Sequence, residues 1–174
     1  MYEGDFAGHD DYLRILRAVV DSSVYMTLGT ANAQGRPWVS PVFFSTDDYV
    51  HFYWVSSSEA VHSQSIEVRH EVAIVIFASD VPPGSGQGVY MNARAHKVLP
   101  EDLAHAIEIY PGPAERGGGR IPAEELLGQT SYRMYCATAT EHSILCPRGS
   151  GPCVAHGLAF DHRIGVRVNP TQHN

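Results

Sequence analysis

The 174-residue sequence contains only three cysteines and has no apolar run of transmembrane length. So few cysteines, in an odd number, exclude a disulfide-stapled fold and favour a reducing compartment. The first eleven residues, MYEGDFAGHDD, are acidic and lack the basic and then apolar segments of a secretory signal. We therefore expect a soluble cytoplasmic protein with no membrane partner.

Basic residues are also scarce. Twelve lysines and arginines face 19 aspartates and glutamates, for a formal net charge of −7. A protein that binds duplex nucleic acid needs a basic face, so that class of partner is not expected. The length suffices for one domain with a real core, and neither a repeat nor a linker divides it. We expect a single domain over residues 1–174.

The pattern of apolar residues predicts a mainly β fold. Residues 24–30 alternate, residues 32–35 (Asn-Ala-Gln-Gly) read as a tight turn, and residues 38–44 are apolar again, so the three segments predict an antiparallel hairpin. Pro41 inside the second strand marks an edge or a bulge, because proline cannot donate to a strand ladder.

The rest of the chain continues this pattern. Further strands are predicted at about residues 49–55, 71–77, 89–98, 131–145 and 158–168, and helices at about 10–22, 59–69, 100–110 and 122–127. Asp10 is a candidate N-cap, and the spacing of Ser56 and Glu59 fits a capping box. The sum is six to seven mostly antiparallel strands with a few short helices. We therefore predict a small barrel over about residues 24–168, preceded by a helical segment.

Serines at the start of the second helix are candidate ligands for an anion. Residues 56–58 offer hydroxyls beside the free N–H groups of a helix N-terminus, although they also suit a purely capping role. His62, one turn further, either adds charge to a bound phosphate or is an ordinary surface histidine.

Other chemistry-bearing residues give weaker signals. The glycine-rich segment 84–88 leads into a strand, so we interpret it as a flexible connection. Cys146, Cys153 and His156 match no usual zinc spacing and lack a fourth ligand, so no metal site is predicted. Cys136 is expected in the core. No spacing indicates a catalytic triad or a carboxylate pair, and no catalytic residue is assigned.

Three stretches together resemble the pyridoxamine 5′-phosphate oxidase-like family of flavin-binding split barrels. They are the hairpin with Gly35-Arg36-Pro37 and Pro41-Val42-Phe43-Phe44, the segment EAVHSQSIEVRHEVAIVIF at 59–77, and the strand from Gln87 to Val98. Near the end, Asp161-His162-Arg163 and Val166 are similar to the closing strand of some members. The resemblance implies a homodimer of split β-barrels with FMN, or in some branches a deazaflavin or haem, in a cleft between subunits.

The resemblance also implies positions for the cofactor. Backbone groups of Ser40, Pro41, Val42 and Phe43 would lie along the isoalloxazine ring, and Trp54, Val55, Ser56 and Ser57 would border the flavin and its tail. His62, Gln64 and Ser65 stand where the family has phosphate-binding residues, and Gln87 stands near a loop that often reaches the cofactor.

The sequence departs from the true oxidases at several cationic positions. Ser40 and Ser45 replace an arginine and a lysine, and His62 and Gln64 replace the helix lysine and arginine. Because charge-assisted contacts to phosphate are roughly twice as strong as neutral ones, weaker FMN binding is expected. Oxidation of pyridoxamine phosphate itself is therefore not expected.

Three functional hypotheses follow. The first is an FMN-dependent oxidoreductase acting on a small organic molecule, with the flavin doing the chemistry. The second is a deazaflavin-dependent reductase. The third is a non-catalytic split barrel that binds flavin, haem or another ligand, or that has lost its cofactor. Two loops, 111–120 and 146–157, are expected to set the substrate, and the first is expected to be mobile.

Overall fold

The computed structural model describes residues 8–147, 151–153 and 155–169. Its strands are β1 (Tyr25–Ala31), β2 (Pro37–Phe43), β3 (His51–Ser57), β4 (Glu71–Phe77), β5 (Gly88–Lys97), β6 (Tyr132–Leu145) and β7 (Arg163–Gly165). Its helices are α1 (His9–Ser22), α2 (Val61–Val68), α3 (Leu103–Ile109) and α4 (Ala123–Leu127), with a 3-10 helix at Ala114–Arg116. None of the helices in these ranges is long and apolar enough to cross a membrane.

All seven strands pair antiparallel, in the order β2-β1-β4-β5-β6-β3, and β7 pairs with β6. The two end strands meet just beyond β2, where Ser45 and Tyr53 exchange two backbone hydrogen bonds of 2.9 and 2.8 Å. In the described ranges β2 otherwise pairs only with β1. The sheet therefore curls into a barrel that is open between β2 and β3, which confirms the predicted split-barrel fold.

The hairpin between β1 and β2 forms as its turn residues indicate. The side-chain carbonyl of Asn32 accepts hydrogen bonds from the backbone N–H groups of Gln34 and Arg36, at 3.0 and 2.9 Å. Gly35 has φ of 78°, a conformation that favours glycine. Pro41 lies on β2, an end strand of the sheet, which confirms the prediction of an edge.

The barrel interior is a continuous apolar core. Alternate residues of β1 and β4, such as Leu28 and Ile74, are fully buried in it, and α1 closes one side with Leu16 and Val20. A smaller cluster lies on the other face of β3 and β6, where Tyr53, Met134 and Cys136 pack against Leu103 and Ala106 of α3 and Leu126 of α4. Because both faces of β3 and β6 are covered, their apolar residues do not alternate.

Several predicted boundaries were wrong for local reasons. The helix α1 begins at His9 after Gly8, so Asp10 lies in its first turn and is not the N-cap. The capping box is also wrong: the hydroxyl of Ser57 accepts the N–H of Glu59 at 3.1 Å in a turn, and α2 begins only at Val61. The predicted final strand is reduced to the three residues of β7.

The loop at 111–120, which we expected to be mobile, is fastened to the hairpin. The guanidinium of Arg116 donates hydrogen bonds to the backbone carbonyls of Ser23 and Phe44, at 2.9 and 2.7 Å, and lies 4.6 Å from the centre of the Phe44 ring. Gly118 packs so closely on Phe43 that a Cβ there would lie 2.8 Å from the ring. This loop therefore borders β2.

The outer face of the sheet is apolar and uncovered in the single chain. Tyr25 on β1, Val39 on β2 and Phe77 on β4 are 60, 60 and 53% exposed. The strand registers place Tyr25 opposite Phe43 and Thr27 opposite both Pro41 and Val75. These residues share one side of the sheet, because directly opposed residues in antiparallel strands point the same way.

Candidate functional site

A polar cluster fills the opening between β2 and β3. The imidazole of His62 lies between two serine hydroxyls: Nδ1 is 3.1 Å from Ser40 Oγ, and Nε2 is 2.9 Å from Ser56 Oγ. Ser40 belongs to β2, Ser56 to β3 and His62 to the first turn of α2. We call these three residues the serine–histidine cluster. It joins the two strands where the sheet does not.

The imidazole of His62 is buried and, at neutral pH, uncharged. Its side chain is 9% exposed, and burial lowers its pKa below the ordinary value. A neutral imidazole has one donor and one acceptor nitrogen, and the two serine hydroxyls satisfy both. The indole N–H of Trp38 donates to Ser40 Oγ at 3.0 Å, which extends the network along β2.

Arg133 is a neighbouring cation that the sequence reasoning missed. It stands directly opposite Ser56 in the β3–β6 register, so the two side chains share a face of the sheet. Its guanidinium donates to the backbone carbonyls of Thr130 and Tyr132, both at 2.6 Å, and of Gly128 at 3.3 Å. Its position beside Ser56 could have been found only by aligning the predicted strands β3 and β6 with each other.

The remaining residues that we predicted for an anion site are close in sequence to Ser56 and His62. Ser57 ends β3 and is half-buried, and the first-turn N–H groups of α2 follow after Ala60, which gives the helix no side-chain cap. The hydroxyl of Ser56, which contacts His62, therefore adjoins the N-terminus of this helix, and three residues separate Ser57 from its first residue. Gln64 is exposed on α2, whereas Ser65 is 3% exposed, so these two residues lie on different sides of the helix.

The predicted ring-binding residues are divided between surface and core. Pro41 is exposed on the free edge of β2, Phe43 is half-buried beside the rings of Tyr25 and Tyr110, and Val42 is buried in the core. Trp54 is fully buried and stacked on Tyr135, with ring centres 5.6 Å apart. Its side chain therefore belongs to the core, and only its backbone remains as a candidate contact.

Two predicted residues lie apart from the cluster. Val55 packs against the second apolar cluster. Gln87 directly precedes β5, whose first residue pairs with Phe77 at the end of β4. The side-chain oxygen of Gln87 is buried and has no hydrogen-bond partner in the described part of the chain.

The site meets the needs of a flavin in part. The free edge of β2 offers unpaired backbone groups for a planar ring, and the serine hydroxyls with the α2 N-terminus offer donors for a phosphate. The charge is low, because His62 stands neutral where a permanent cation would be stronger.

A seven-stranded antiparallel barrel, open at a polar cluster, defines a split-barrel protein. The chain belongs to the pyridoxamine 5′-phosphate oxidase family, whose model matches residues 14–135. This result confirms the family that the sequence motifs resemble. No curated protein matches the chain.

Solved structures of the same fold come from proteins with different cofactors. A heme binding protein from Mycobacterium smegmatis matches with a TM-score of 0.62 and 15% identity, covering 86% of this chain and 56% of that one. An FAD-binding protein from Mesorhizobium loti matches with a TM-score of 0.57 and 13% identity over 76% of this chain and 90% of that one. An F420 reductase matches with a TM-score of 0.51 and 15% identity over 72 and 94%.

At these identities the likenesses establish the fold alone. The chain spans little more than half of the M. smegmatis protein. These structures therefore do not identify the cofactor of this chain.

Proposed function

We propose that the chain is a flavin-dependent oxidoreductase that acts, as a homodimer, on a small organic molecule. The observation that carries the proposal is the serine–histidine cluster, which puts hydroxyls and an imidazole at the barrel opening beside a helix N-terminus. Family membership supports the same assignment.

The phosphate end of the flavin would lie at Ser56 and Ser57. Their hydroxyls and the first-turn N–H groups of α2 would donate to phosphate oxygens, and Arg133 would supply a positive charge from the neighbouring strand. His62 would donate from Nε2 to the phosphate in place of Ser56. The free edge of β2, from Ser40 to Phe43, would hold the ring through its backbone.

A bound flavin supplies hydride or single-electron transfer, which the side chains of this site lack. The chain would position the ring against β2 and exclude water from it. No acid or base among the cluster residues is required for this role. Loop 111–120, which packs on Phe43, would border the substrate side of the ring.

The apolar outer face of the sheet supports the homodimer. Tyr25, Val39 and Phe77 are all more than half exposed in the single chain. A contiguous apolar face of this kind is typical of a protein–protein interface. A second copy of the chain would cover it and complete a cleft beside β2.

The low charge of the site favours a second candidate within the same class, a deazaflavin whose phosphate is a diester. A phosphate monoester such as that of FMN carries about 1.5 to 2 negative charges at neutral pH, whereas each diester phosphate carries one. Arg133 and a neutral His62 match a single negative charge better than a double one. FMN, FAD and a deazaflavin should therefore be compared directly.

The test is the visible spectrum of the purified protein, followed by titration with FMN, FAD, a deazaflavin and haem. A flavin or deazaflavin that binds with a dissociation constant in the micromolar range or tighter, about −8 kcal/mol, supports the proposal. Reduction of that cofactor and its reoxidation by a small acceptor would establish turnover. Binding of haem alone, or of none of the four, would overturn the proposal.

A further inference from the structure

Four metal-ligating side chains converge at the end of the barrel away from the serine–histidine cluster. Cys146 follows β6, Cys153 and His156 lie in the next loop, and His162 directly precedes β7. Their sulfur and nitrogen atoms all lie within 4.8 Å of one another. The sequence indicated three of these residues, and the pairing of β6 with β7 supplies the fourth.

Four of the six distances within this group are close to the edges of a metal-centred tetrahedron. Zinc bonds of about 2.3 Å to sulfur and 2.0 Å to nitrogen put two sulfurs about 3.8 Å apart and two nitrogens about 3.3 Å apart. The Sγ atoms of Cys146 and Cys153 are 3.5 Å apart, and His162 Nε2 is 3.2 Å from His156 Nδ1. The two sulfurs lie 3.7 and 3.2 Å from His156 Nδ1.

The second nitrogen of His162 is fixed in the manner expected of a metal ligand. Its Nδ1 lies 3.0 Å from the backbone carbonyl of Phe160 and donates to it, because a carbonyl can only accept. When Nδ1 carries the proton of the ring, Nε2 bears a lone pair, and Nε2 lies within 4.8 Å of the other three ligand atoms. Histidines that bind metals typically donate their other ring N–H to such a carbonyl.

Backbone hydrogen bonds connect the residues that carry these ligand atoms. The N–H of Cys146 donates to the carbonyl of His162 at 2.8 Å, which ties the first ligand to the last. The carbonyl of Cys153 accepts the N–H groups of His156 and Gly157, at 3.3 and 2.7 Å, so the chain turns back with His156 beside Cys153. Five residues separate His156 from His162, a spacing also found between the two histidines of structural zinc sites.

From this geometry we infer that Cys146, Cys153, His156 and His162 bind one Zn²⁺ ion as a structural site. Two thiolates and two imidazoles in a tetrahedron are typical of zinc. Four protein ligands leave no open position for a substrate, so the site is structural. It would fix the loop to the ends of β6 and β7, and it does not depend on the proposed flavin.

The test measures zinc and cobalt binding by the full chain, without any flavin. We expect one zinc per chain by elemental analysis of protein purified without chelator. Replacement by Co²⁺ should give visible ligand-field bands together with thiolate-to-cobalt charge transfer in the near ultraviolet. Cys153→Ser and His162→Gln should each lower zinc affinity by at least about tenfold. Cys136→Ala and His105→Gln are the matched controls and should retain one zinc.

The cobalt spectrum of the unmodified chain decides the matter even if a variant fails to fold. A cobalt complex without thiolate charge transfer would overturn the inference. So would a purified protein that lacks zinc and contains a Cys146–Cys153 disulfide, detected as a mass two hydrogens lower. Zinc content unchanged in both loop variants would also place the metal elsewhere and overturn it.

Discussion

His62 Nε2 lies 2.9 Å from Ser56 Oγ, and this contact joins helix α2 to strand β3 across the opening of the barrel. On the other side of the same ring, Nδ1 reaches Ser40 of β2. The histidine therefore spans the gap that backbone pairing leaves open. Any anion that binds at Ser56 must exchange hydrogen bonds with this imidazole.

The affinity of the site for a flavin phosphate should depend on pH through His62. Burial lowers the pKa of free His62, whereas a bound phosphate would raise it, so binding takes up a proton. The pKa of His62 is therefore higher with the phosphate bound than without it. Between these two pKa values, each decrease of one pH unit should lower the dissociation constant by up to about tenfold. Isothermal titration at several pH values measures this slope.

The matched variant for that experiment is His62→Gln, which keeps a hydrogen-bonding side chain without a titrating ring. It should bind with a flatter pH profile, while His105→Gln on the exposed face of α3 should behave as the unmodified chain. If the slope survives in His62→Gln, another group takes up the proton.

The free energy of unfolding should decrease on acidification below pH 6.5. Burial is the main cause that lowers the pKa values of His62 and His142 in the folded state. Below pH 6.5 these two histidines therefore bind more protons in the unfolded chain than in the folded one. Stability is retained above the ordinary histidine pKa and is lost as pH falls toward the lowered values, at up to about 1.4 kcal/mol per pH unit for each histidine.

Urea unfolding at a series of pH values between 7.5 and 5 measures this loss. His142→Gln should reduce the slope, because glutamine does not titrate. Glutamine can still donate to the carbonyl of Tyr49, which His142 Nε2 contacts at 2.8 Å, so the fold should be kept. An unchanged slope in that variant would show that the pKa of His142 is the same in the folded and the unfolded chain.

Arg133 should contribute to flavin affinity through its charge. Its position opposite Ser56 puts the guanidinium on the same face as the serine–histidine cluster. Arg133→Gln should weaken flavin binding by about tenfold or more, since hydrogen bonds to charged groups contribute about 1.5 to 3 kcal/mol. Arg133→Lys should recover part of the loss, and Arg14→Gln on α1 should have no effect. Equal affinity in Arg133→Gln would exclude the residue from the phosphate site.

Two neighbouring glycines test whether the 111–120 loop supports β2. A Cβ at Gly118 would lie 2.5 Å from Pro111 Cβ and 2.8 Å from the Phe43 ring, whereas a Cβ at Gly119 meets nothing within 4 Å. Gly118→Ala should lower the free energy of unfolding by about 1 to 3 kcal/mol and also weaken flavin binding, because Phe43 must move. Gly119→Ala should leave both nearly unchanged. Similar behaviour of the two variants in thermal melts would show that the loop is not packed on the hairpin.

Local sequence patterns predicted the strands and the hairpin well, because alternation and turn chemistry act over a few residues. The start of α2 was misplaced because Ser57 uses its hydroxyl in a turn with Glu59 before the helix begins. Arg133 was missed because it reaches its position through the pairing of β3 with β6, which are far apart in the sequence. His162 was missed because the loop between β6 and β7 folds back and brings it to Cys146. The spacing of residues along the chain does not indicate such contacts.

The side chain of Trp54 also lies where the sequence alone did not indicate. The family resemblance implied that Trp54 borders the flavin, but alternation along β3 turns the indole into the core against Tyr135. The resemblance gives positions along the chain, whereas the direction of each side chain follows from the sheet.

The central claim is that a flavin phosphate binds at Ser56 and Ser57, and its most direct test is the flavin dissociation constant of Ser56→Ala/Ser57→Ala. The double variant Ser22→Ala/Ser23→Ala, at the end of α1, is the matched control. We expect affinity to fall at least about tenfold in the first variant only, the equivalent of one strong hydrogen bond, with little change in melting temperature at saturating flavin. Unchanged affinity in Ser56→Ala/Ser57→Ala would contradict the proposed site.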